Sequence, residues 1–329
     1  MSNKIILVTG ASGFIGQALI KTLGQNGYEV RATVRSESAL QSVSQLKKQL
    51  QLDELTIYNV GELSAETNWD EIIKGVDTIV HCAARAHVLR ETSGNPLETF
   101  RQINCQATEH LAKEANRLGV KRFIFISSIG VLGNASYANP FNENSQPNPQ
   151  VPYAQAKWEA EQRLKQLATT MELVIIRPPL VYGPGVKGNF EKLLSLVSKG
   201  LPLPFGKVKN RRQFIGVANL TDFIARCIEE SNAANQLFLV ADREVVTTTQ
   251  LLQQLSKAMG KKTILLPIPH ALLEWGFQRL GKAKLAEQLL NNLEINSDKA
   301  KTLLAWEPPY TMKEQLQQTV DYHKNKLVS

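Results

Sequence analysis

The first 178 residues alternate short apolar runs with longer amphipathic stretches. The apolar runs are six to eight residues long and predict strands buried on both faces, at 4–10, 29–35, 55–60, 77–84, 122–128 and 172–178. The amphipathic stretches predict helices at 14–27, 103–119 and 153–168. Strands separated by helices favour a parallel sheet, and right-handed crossovers then give an α/β fold with a doubly wound parallel Rossmann sheet.

The pattern changes after Pro178. Prolines and glycines cluster at 177–188 and 200–207, which predicts loops and short strands over a binding cleft. Further along, a helix is predicted at 219–231, a strand that returns to the main sheet at 236–242, and a mainly helical remainder that closes with a helix at 311–324. We therefore assign 1–178 and 217–241 to a dinucleotide-binding Rossmann domain, and 179–216 and 242–329 to a smaller, interleaved C-terminal α/β substrate lobe.

Composition and charge limit the class of protein. No apolar run approaches the roughly 20 residues of a membrane-spanning helix, and the N-terminal run is too short for a signal peptide. We therefore expect a cytoplasmic protein with no membrane partner. Three scattered cysteines, Cys82, Cys105 and Cys227, argue against a disulfide framework and against a metal site. The net charge of +8 is spread along the chain, except for the cluster at 207–212, which favours an anionic substrate over nucleic acid.

A glycine motif lies between the first predicted strand and the first predicted helix. Gly10, Gly13 and Gly16 let the backbone turn tightly and let a pyrophosphate approach the helix N-terminus. About twenty positions further on, such folds usually carry an acidic residue on the adenosine ribose. Here the chain has Arg35 and Ser36. A cation at this point favours NADP(H), whereas NAD(H) stays possible if Arg35 stacks on the adenine or points to water.

A tyrosine and a lysine stand one helical turn apart. Tyr153 and Lys157 lie on the same helix face, and Ser128 ends a predicted strand. An ammonium favours the phenolate, so we predict that Tyr153 exchanges its proton nearer neutral pH than its reference pKa of about 10. Ser128 is placed to hydrogen-bond the same substrate oxygen. An isolated surface pair is the alternative, but the glycine motif in the same chain favours catalysis.

Six motifs in a fixed order connect the chain to a known family: "TGASGFIG", "HCAA", "FISSIGVLG", "YAQAK", "RPPLVYGPG" and "RRQFIGVANLTDF". In these the chain resembles the extended short-chain dehydrogenase/reductases of the NAD-dependent epimerase/dehydratase family. The resemblance implies hydride transfer at a sugar carbon, with Tyr153 as acid/base, Ser128 orienting the reacting oxygen and Lys157 on the nicotinamide ribose. The cofactor contacts it implies, besides Tyr153 and Lys157, are Gly10, Gly13, Phe14, Ile15, Gly16, Arg35, Ser36, Glu62, Leu63, Ala83, Ala84, Asn104 and Pro178.

The resemblance also implies a nucleotide sugar in the second lobe. The implied substrate contacts are Arg85, Ser128, Asn189, Pro204, Phe205 and Arg212. Arg212 would meet the diphosphate, for which a planar guanidinium is a suitable partner; solubility is the alternative role for it and for Arg211. His87 is a further polar candidate beside the sugar. The chain departs from the family at Leu132, where a tyrosine is often found, and in lacking a second diphosphate arginine before residue 297.

These observations favour an oxidoreductase acting at C4 of a UDP-hexose derivative. Because Arg35 favours NADPH, we lean to reduction of a UDP-4-keto-(6-deoxy)-N-acetylhexosamine in surface polysaccharide biosynthesis. The alternatives are a 4-epimerase of UDP-glucose or UDP-N-acetylglucosamine, and an NADPH-dependent reductase of a small non-nucleotide ketone. A cofactor-sensing regulatory protein is disfavoured by the intact Tyr–Lys pair. A homodimer is expected, formed through helices such as the one that bears Tyr153.

Overall fold

The computed structural model describes residues 4–85, 96–167 and 170–328. Its strands are β1 (Ile5–Thr9), β2 (Glu29–Val34), β3 (Leu55–Asn59), β4 (Thr78–His81), β5 (Arg122–Ile126), β6 (Glu172–Arg177), β7 (Val181–Tyr182), β8 (Ile215–Gly216) and β9 (Leu237–Leu239). Seven of them form one parallel sheet in the order β3-β2-β1-β4-β5-β6-β9, and β7 pairs with β8. The order reverses direction at β1 and β4, so the doubly wound fold is confirmed, as is the return of β9 to the main sheet.

Thirteen α-helices surround the sheet in the described part of the chain. They are α1 (Phe14–Gln25), α2 (Glu37–Leu50), α3 (Asp70–Ile73), α4 (Pro96–Arg101), α5 (Ala107–Arg117), α6 (Pro152–Leu167), α7 (Asn189–Ser198), α8 (Val217–Glu229), α9 (Thr248–Ala258), α10 (His270–Arg279), α11 (Ala283–Leu290), α12 (Asp298–Leu304) and α13 (Met312–Val328). The helix predicted at 103–119 is α5 preceded by a π-helical turn, Gln102–Gln106. No helix in these ranges has the length and apolar character needed to cross a bilayer.

Four helices stand where we predicted none: α2, α3, α4 and α7. In α7, Phe190, Leu194 and Val197 recur at helical spacing and are buried; the helix occupies the stretch between the two predicted loop clusters, for which we predicted no element. In α2 only Val43 is fully buried, and Ser36 precedes the helix as its N-cap, with its hydroxyl accepting a hydrogen bond from Ala39 N. Leu40, Leu46 and Leu50 recur with Val43 at helical spacing and pack, half-buried, against the sheet, so the apolar face of α2 was present in the sequence.

The two faces of the sheet carry separate hydrophobic clusters. On β1, Ile6 and Val8 pack with residues of α1 and α8, whereas Leu7 packs with residues of α5 and α6. A third cluster, which we call the lobe core, is built from β7 and from α7, α9, α10, α11 and α13. It belongs to the region that we assigned to the substrate lobe, and Phe14 at the start of α1 packs against it. The domain boundaries themselves stay a prediction.

The carboxyl ends of the parallel strands meet at one edge of the sheet. Thr9 at the end of β1 is in register with His81 at the end of β4, and Ile126 of β5 is in register with Ile176 of β6. The residues that follow these strands therefore gather at this edge, beside the reversal of strand order where ligands bind in such folds.

Candidate active site

The glycine turn after β1 is closed too tightly for side chains. Gly10 has φ +68°, and a Cβ there would lie 2.7 Å from the Ala83 backbone; a Cβ on Gly16 would lie 2.2 Å from Gly10 O. The turn leads directly into α1, whose first residues are Phe14 and Ile15. No side chain caps this helix and no acidic residue lies in its first turn. The arrangement fits the pyrophosphate of a dinucleotide, because a helix N-terminus attracts an anion.

Arg35 and Ser36 follow β2 beside this turn. Ala11 N donates to Thr33 O (3.1 Å), which fixes the glycine turn next to the end of β2. Arg35 is exposed and makes no hydrogen bond or ion pair with a described residue. The Ser36 hydroxyl caps α2 and lies 3.1 Å from Ser38 Oγ. Arg35 is therefore the free cation at this point, while Ser36 is partly engaged by its own helix.

The other residues predicted to line the cofactor follow β3 and β4. Glu62 is exposed, and Leu63 is half-buried against the sheet cluster. Ala83 and Ala84 are half-buried, and Ala83 N donates to Thr9 Oγ1 (3.3 Å). The Ala83 backbone is also what a side chain on Gly10 would strike, so the two loops pack directly together.

A buried chain of hydrogen bonds, absent from the sequence analysis, supports these loops. His81 Nδ1 lies 2.7 Å from Thr9 Oγ1, and Nε2 lies 2.9 Å from Thr108 Oγ1. The Thr108 hydroxyl donates to Asn104 O (3.0 Å), so it accepts from Nε2–H, and Thr9 then donates to Nδ1. Every link is satisfied when His81 is neutral. Its complete burial lowers the pKa of His81 to about 3, with a smaller contribution from the Lys157 charge.

Asn104 anchors the loop after β4. Its side chain accepts from Arg85 N (2.8 Å) and donates to Arg85 O (3.0 Å), so both of its polar atoms are used within the protein. The Arg85 Nε is buried and has no hydrogen-bond partner among the described residues, which keeps Arg85 a candidate for a substrate oxygen. His87 lies outside the described residues. The cofactor contact of Asn104 stays a prediction.

Tyr153 and Lys157 lie on the first two turns of α6. The Tyr153 ring is edge-on to Phe100, with centroids 6.2 Å apart, and its hydroxyl makes no hydrogen bond with a described residue. Burial raises the pKa of Tyr153 to about 12. Lys157 is 1% exposed, and its Nζ donates to Ile126 O (2.9 Å) and lies 4.3 Å from the centre of the Phe125 ring. Burial lowers the pKa of Lys157 to about 8.

The predicted lowering of the Tyr153 pKa is therefore wrong for this arrangement. Burial of the phenol dominates, and Lys157 makes no contribution to the shift because its ammonium is directed to Ile126 O. The lysine ammonium is instead held between Ile126 O and the Phe125 ring.

Ser128 is placed beside the start of α6. Its hydroxyl oxygen accepts from Gly130 N (3.1 Å), and its hydrogen has no acceptor among the described residues. A Cβ on Gly130 would lie 3.3 Å from Ser128 Oγ and 3.5 Å from Ala154 Cβ, so Ser128 is next to the residue that follows Tyr153. The carbonyl of the buried Pro178 accepts from Ile129 N (2.9 Å) and brings its loop to the same place.

A buried ion pair fixes α6 to the sheet, and the sequence analysis missed it. Glu161 and Arg177 are 0% and 2% exposed, with Nε–Oε1 2.9 Å and Nη2–Oε2 2.5 Å, and Ser127 Oγ donates to Glu161 Oε1 (2.5 Å). Glu161 stands one and two turns beyond Lys157 and Tyr153 on the same helix face. A carboxylate on a face that packs on the sheet needs a buried partner, and this was the signal available in the sequence.

The second lobe holds a buried arginine without a carboxylate. Arg212 is 8% exposed, its Nη1 donates to Asn291 O (2.8 Å), and it forms no ion pair with a described residue. Burial lowers the pKa of Arg212 to about 10. The adjacent Arg211 is 60% exposed and pairs with Glu294 (2.8 Å). Solubility thus accounts for Arg211, whereas Arg212 is a cation that can take an anionic partner.

The segment around α11 connects the other predicted substrate residues. Gln288 accepts from Asn189 Nδ2 (2.7 Å), and the following Asn291 provides the carbonyl for Arg212. Both predicted contacts therefore border the same segment. Phe205 is buried and stacks on Phe277 with centroids 6.3 Å apart, while Pro204 is half-buried. The ring of Phe205 thus belongs to the lobe core, and its carbonyl accepts from Thr249 Oγ1 (2.5 Å), so the contact of Pro204 and Phe205 with a base stays a prediction.

Comparison with known proteins places this arrangement in context. Residues 6–241 match the sequence model of the NAD dependent epimerase/dehydratase family. A UDP-glucose 4-epimerase from Vibrio cholerae is 40% identical over 320 residues, covering 96% of this chain and 94% of the relative. Two solved structures share the fold over nearly their full length. UDP-glucuronic acid 4-epimerase from Bacillus cereus in complex with NAD has a TM-score of 0.79 at 21% identity, covering 98% of this chain and 99% of that one. UDP-N-acetylglucosamine 4-epimerase from Methanobrevibacter ruminantium M1, in complex with UDP-N-acetylmuramic acid, also has a TM-score of 0.79, at 22% identity, covering 99% and 100%.

Proposed function

The chain belongs to the NAD dependent epimerase/dehydratase family, and we propose that it is a 4-epimerase of UDP-hexoses such as UDP-glucose or UDP-N-acetylglucosamine. The relative that is 40% identical along almost the whole chain is a UDP-glucose 4-epimerase, and this similarity supports the proposal. The sequence analysis favoured a 4-keto reductase and gave the 4-epimerase as its first alternative. The 4-epimerase is now the preferred proposal.

The observation that carries the substrate class is the state of Arg212. The Arg212 guanidinium has a single carbonyl partner, and none of its nitrogens is among the buried side-chain atoms that lack a hydrogen-bond partner, so its remaining donors are open to an incoming anion. A diphosphate provides paired oxygens that match the guanidinium fork. With Asn189 bordering the same segment, the second lobe suits a nucleoside diphosphate and disfavours a small neutral ketone.

The residues at the sheet edge fit a nicotinamide dinucleotide. The glycine turn and the N-terminus of α1 would hold the pyrophosphate, Ala83 and Ala84 would line the cleft, and Lys157 would meet the nicotinamide ribose. When bound, this cofactor supplies a reversible hydride acceptor for the substrate carbon.

Three side chains then handle the proton at the C4 oxygen of the sugar. Ser128 donates a hydrogen bond to that oxygen, with the hydroxyl hydrogen that the protein leaves unused. Tyr153 takes the proton from the oxygen and later returns it. Lys157 favours the phenolate only once its ammonium meets the ribose and the tyrosine together, because by itself the lysine is directed to Ile126 O. Arg212 holds the diphosphate and keeps the sugar in register.

Reduction of a UDP-4-keto-(6-deoxy)-N-acetylhexosamine is the second candidate, and Arg35 is the observation that favours it. An exposed, unpaired cation beyond β2 suits the 2′-phosphate of NADP(H), which a reductase draws on, whereas we propose NAD(H) for the epimerase. A cytoplasmic homodimer that pairs through α6 and serves surface polysaccharide biosynthesis remains our expectation under either candidate.

The experiment that tests the proposal monitors two substrates in parallel. UDP-glucose and UDP-N-acetylglucosamine are incubated with the purified protein and followed by proton NMR, without added reductant. We expect each active substrate to reach an equilibrium mixture of its C4 epimers. In the second arm, NADPH absorbance is followed with a UDP-4-keto-6-deoxy-N-acetylhexosamine. Stoichiometric loss of absorbance without epimerisation would establish the reductase, and inactivity in both arms would reject both candidates.

A further inference from the structure

Exposed apolar side chains are concentrated on one part of the second lobe. Among the described residues, ten large hydrophobic side chains are exposed, and five of them lie within residues 264–280. They are Ile264, Leu266, Leu272, Trp275 and Leu280. Trp275, which is 58% exposed, has the largest side chain of the five. Such a concentration of exposed apolar side chains in one short stretch favours an interaction site, whereas apolar residues scattered singly over a surface do not. We call this group, with the cations described below, the α10 surface.

The local structure explains why these side chains point outward. On α10, Leu273 is buried and Phe277 packs against the lobe core, whereas Leu272, Trp275 and Arg279 recur at i, i+3 and i+7 on the opposite side. Arg279 lies over the Trp275 ring, 5.4 Å from its centre. The helix α10 therefore has two apolar faces, one packed in the lobe core and one exposed to solvent.

The extended segment before α10 adds to the same surface. Leu266 N donates to Leu203 O (2.7 Å), and Leu203 N donates to Ile264 O (2.8 Å). Leu265 between them packs against the lobe core. Because successive side chains of an extended segment point to opposite sides, Ile264 and Leu266 are directed away from that core. Within the described ranges both stay exposed, Ile264 at 59% and Leu266 at 41%.

The stretch of chain that carries the apolar group is rich in cations that have no acidic partner among the described residues. Residues 257–284 contain six cations and one carboxylate, Glu274, for a net charge of +5. All six cations are exposed, and none forms an ion pair with a described residue: Lys257, Lys261, Lys262, Arg279, Lys282 and Lys284. The whole chain carries +8, so more than half of its excess charge lies in this stretch.

This combination decides which occupant fits the surface. A second copy of the chain would bring two strongly positive faces together, which costs electrostatic energy. Nucleic acid would match the cations but leave the leucines and the tryptophan exposed. An anionic lipid surface matches both, because apolar and aromatic side chains enter the boundary of headgroups and acyl chains while the cations meet phosphates.

We propose that the α10 surface docks the protein on an anionic lipid bilayer, with Leu272 and Trp275 in the interface and the lysines of the same stretch on the headgroups. The sequence analysis expected no membrane partner because no run is long enough to span a bilayer. Peripheral docking needs no such run. The proposal does not depend on the C4 chemistry, since none of its residues belongs to the candidate active site.

The test is flotation of the full-length protein with vesicles. Equal mixtures of phosphatidylglycerol and phosphatidylcholine are compared with phosphatidylcholine alone, at low and high salt. We expect binding to the anionic vesicles, at least tenfold weaker binding to the neutral ones, and weakening by salt. The double variant Leu272→Ser/Trp275→Ser should bind the anionic vesicles at least tenfold less tightly, and Lys282→Gln/Lys284→Gln several-fold less tightly.

Matched controls separate docking from general effects of charge and stickiness. Tyr310→Ser removes an exposed aromatic ring elsewhere whose described contacts are made by the backbone, and Lys48→Gln/Lys313→Gln removes two exposed cations outside the stretch. Both controls should bind like the wild type. Absence of binding, equal losses in the controls, or wild-type binding by the Leu272/Trp275 variant would overturn the proposal. So would a self-association in sedimentation that this variant abolishes, because the occupant would then be a second copy.

Discussion

Two buried arginines, one in each half of the candidate active site, have opposite surroundings. At the sheet edge, Glu161 and Arg177 satisfy each other with two hydrogen bonds, and Ser127 adds a third. In the second lobe, Arg212 is buried with one backbone carbonyl and no carboxylate. A charge that is already paired serves the fold, whereas a charge left without its counterion is prepared for a ligand. At the sheet edge, which we call the catalytic half, the Glu161–Arg177 pair is thus complete within the chain. Arg212 in the second lobe, which we call the substrate half, keeps donors for an anion, as Lys157 keeps donors for a ribose.

The largest expected effect breaks the chemistry of the catalytic half. Tyr153→Phe removes the hydroxyl that moves the proton, so we expect turnover to fall by about 10³-fold. Since that hydroxyl makes no hydrogen bond with a described residue, the fold and cofactor binding should be unchanged. Epimerisation is measured by NMR and cofactor binding by calorimetry. An active variant would contradict the assigned role of Tyr153.

The second prediction removes one partner of the buried Glu161–Arg177 ion pair. Glu161→Gln leaves Arg177 buried without a counterion, so we expect the free energy of unfolding to fall by about 3–5 kcal/mol. Glu159→Gln, on the same helix, removes the partly exposed partner of Arg101 and should cost less than about 1 kcal/mol. Urea denaturation measures both. Equal losses would mean that the buried pair has no special place in the fold.

The third prediction concerns Arg212 in the substrate half, where removing the buried charge should not lower the free energy of unfolding. Arg212→Met removes a buried cation that has no counterion, so stability should stay level or rise, while UDP binding weakens by about 10–100-fold through loss of charge-assisted hydrogen bonds. Arg211→Met is the control, because Arg211 is exposed and paired with Glu294. Denaturation and calorimetry with UDP provide both readouts. If Arg212→Met lost as much stability as Glu161→Gln, the distinction between the paired Arg177 and the unpaired Arg212 would be wrong.

The same contrast explains what the sequence could predict. The strand-and-helix rhythm, the glycine turn and the Tyr153–Lys157 spacing are local patterns, and from them the sheet and the elements that carry the catalytic residues follow. The partners of Glu161, His81 and Arg212 lie 16, 27 and 79 positions or more away in the chain, and pairings over such separations leave no local period. The Tyr153 pKa was mispredicted for a related reason, because helix spacing places Lys157 nearby but does not show that Ile126 O takes its ammonium.

The fourth prediction sharpens the account of the catalytic half through pH. The pKa of His81 is lowered to about 3 in the fold, against about 6.5 in an unfolded chain, so between these values the unfolded state binds one more proton. Stability must therefore fall as the pH is lowered through this range, by about 2 kcal/mol at pH 5. Urea denaturation at pH 7 and pH 5 measures the loss.

His81→Asn should reduce that loss, although it also lowers stability at pH 7 by breaking the chain from Thr9 to Thr108. His110→Asn is the matched control, because His110 is half-buried on α5, the helix that also carries Thr108, and its one hydrogen bond to a described residue is with Thr67 O (2.9 Å). An unchanged pH dependence in His81→Asn would show that another group controls acid stability.

The smallest expected effect concerns Arg35, at the solvent end of the catalytic half. Like Arg212, it forms no ion pair with a described residue, but it is exposed and Arg212 is buried. Because water already solvates it, its replacement should leave stability unchanged and shift only a preference. Arg35→Asp should move the ratio of NAD to NADP affinities toward NAD by about tenfold, by repelling a 2′-phosphate and accepting from a ribose hydroxyl. Calorimetry with both cofactors measures the ratio, and Lys48→Asp on α2 controls for the general change in charge. An unchanged ratio in Arg35→Asp would mean that Arg35 points away from the ribose, and the main observation in favour of the reductase would be lost.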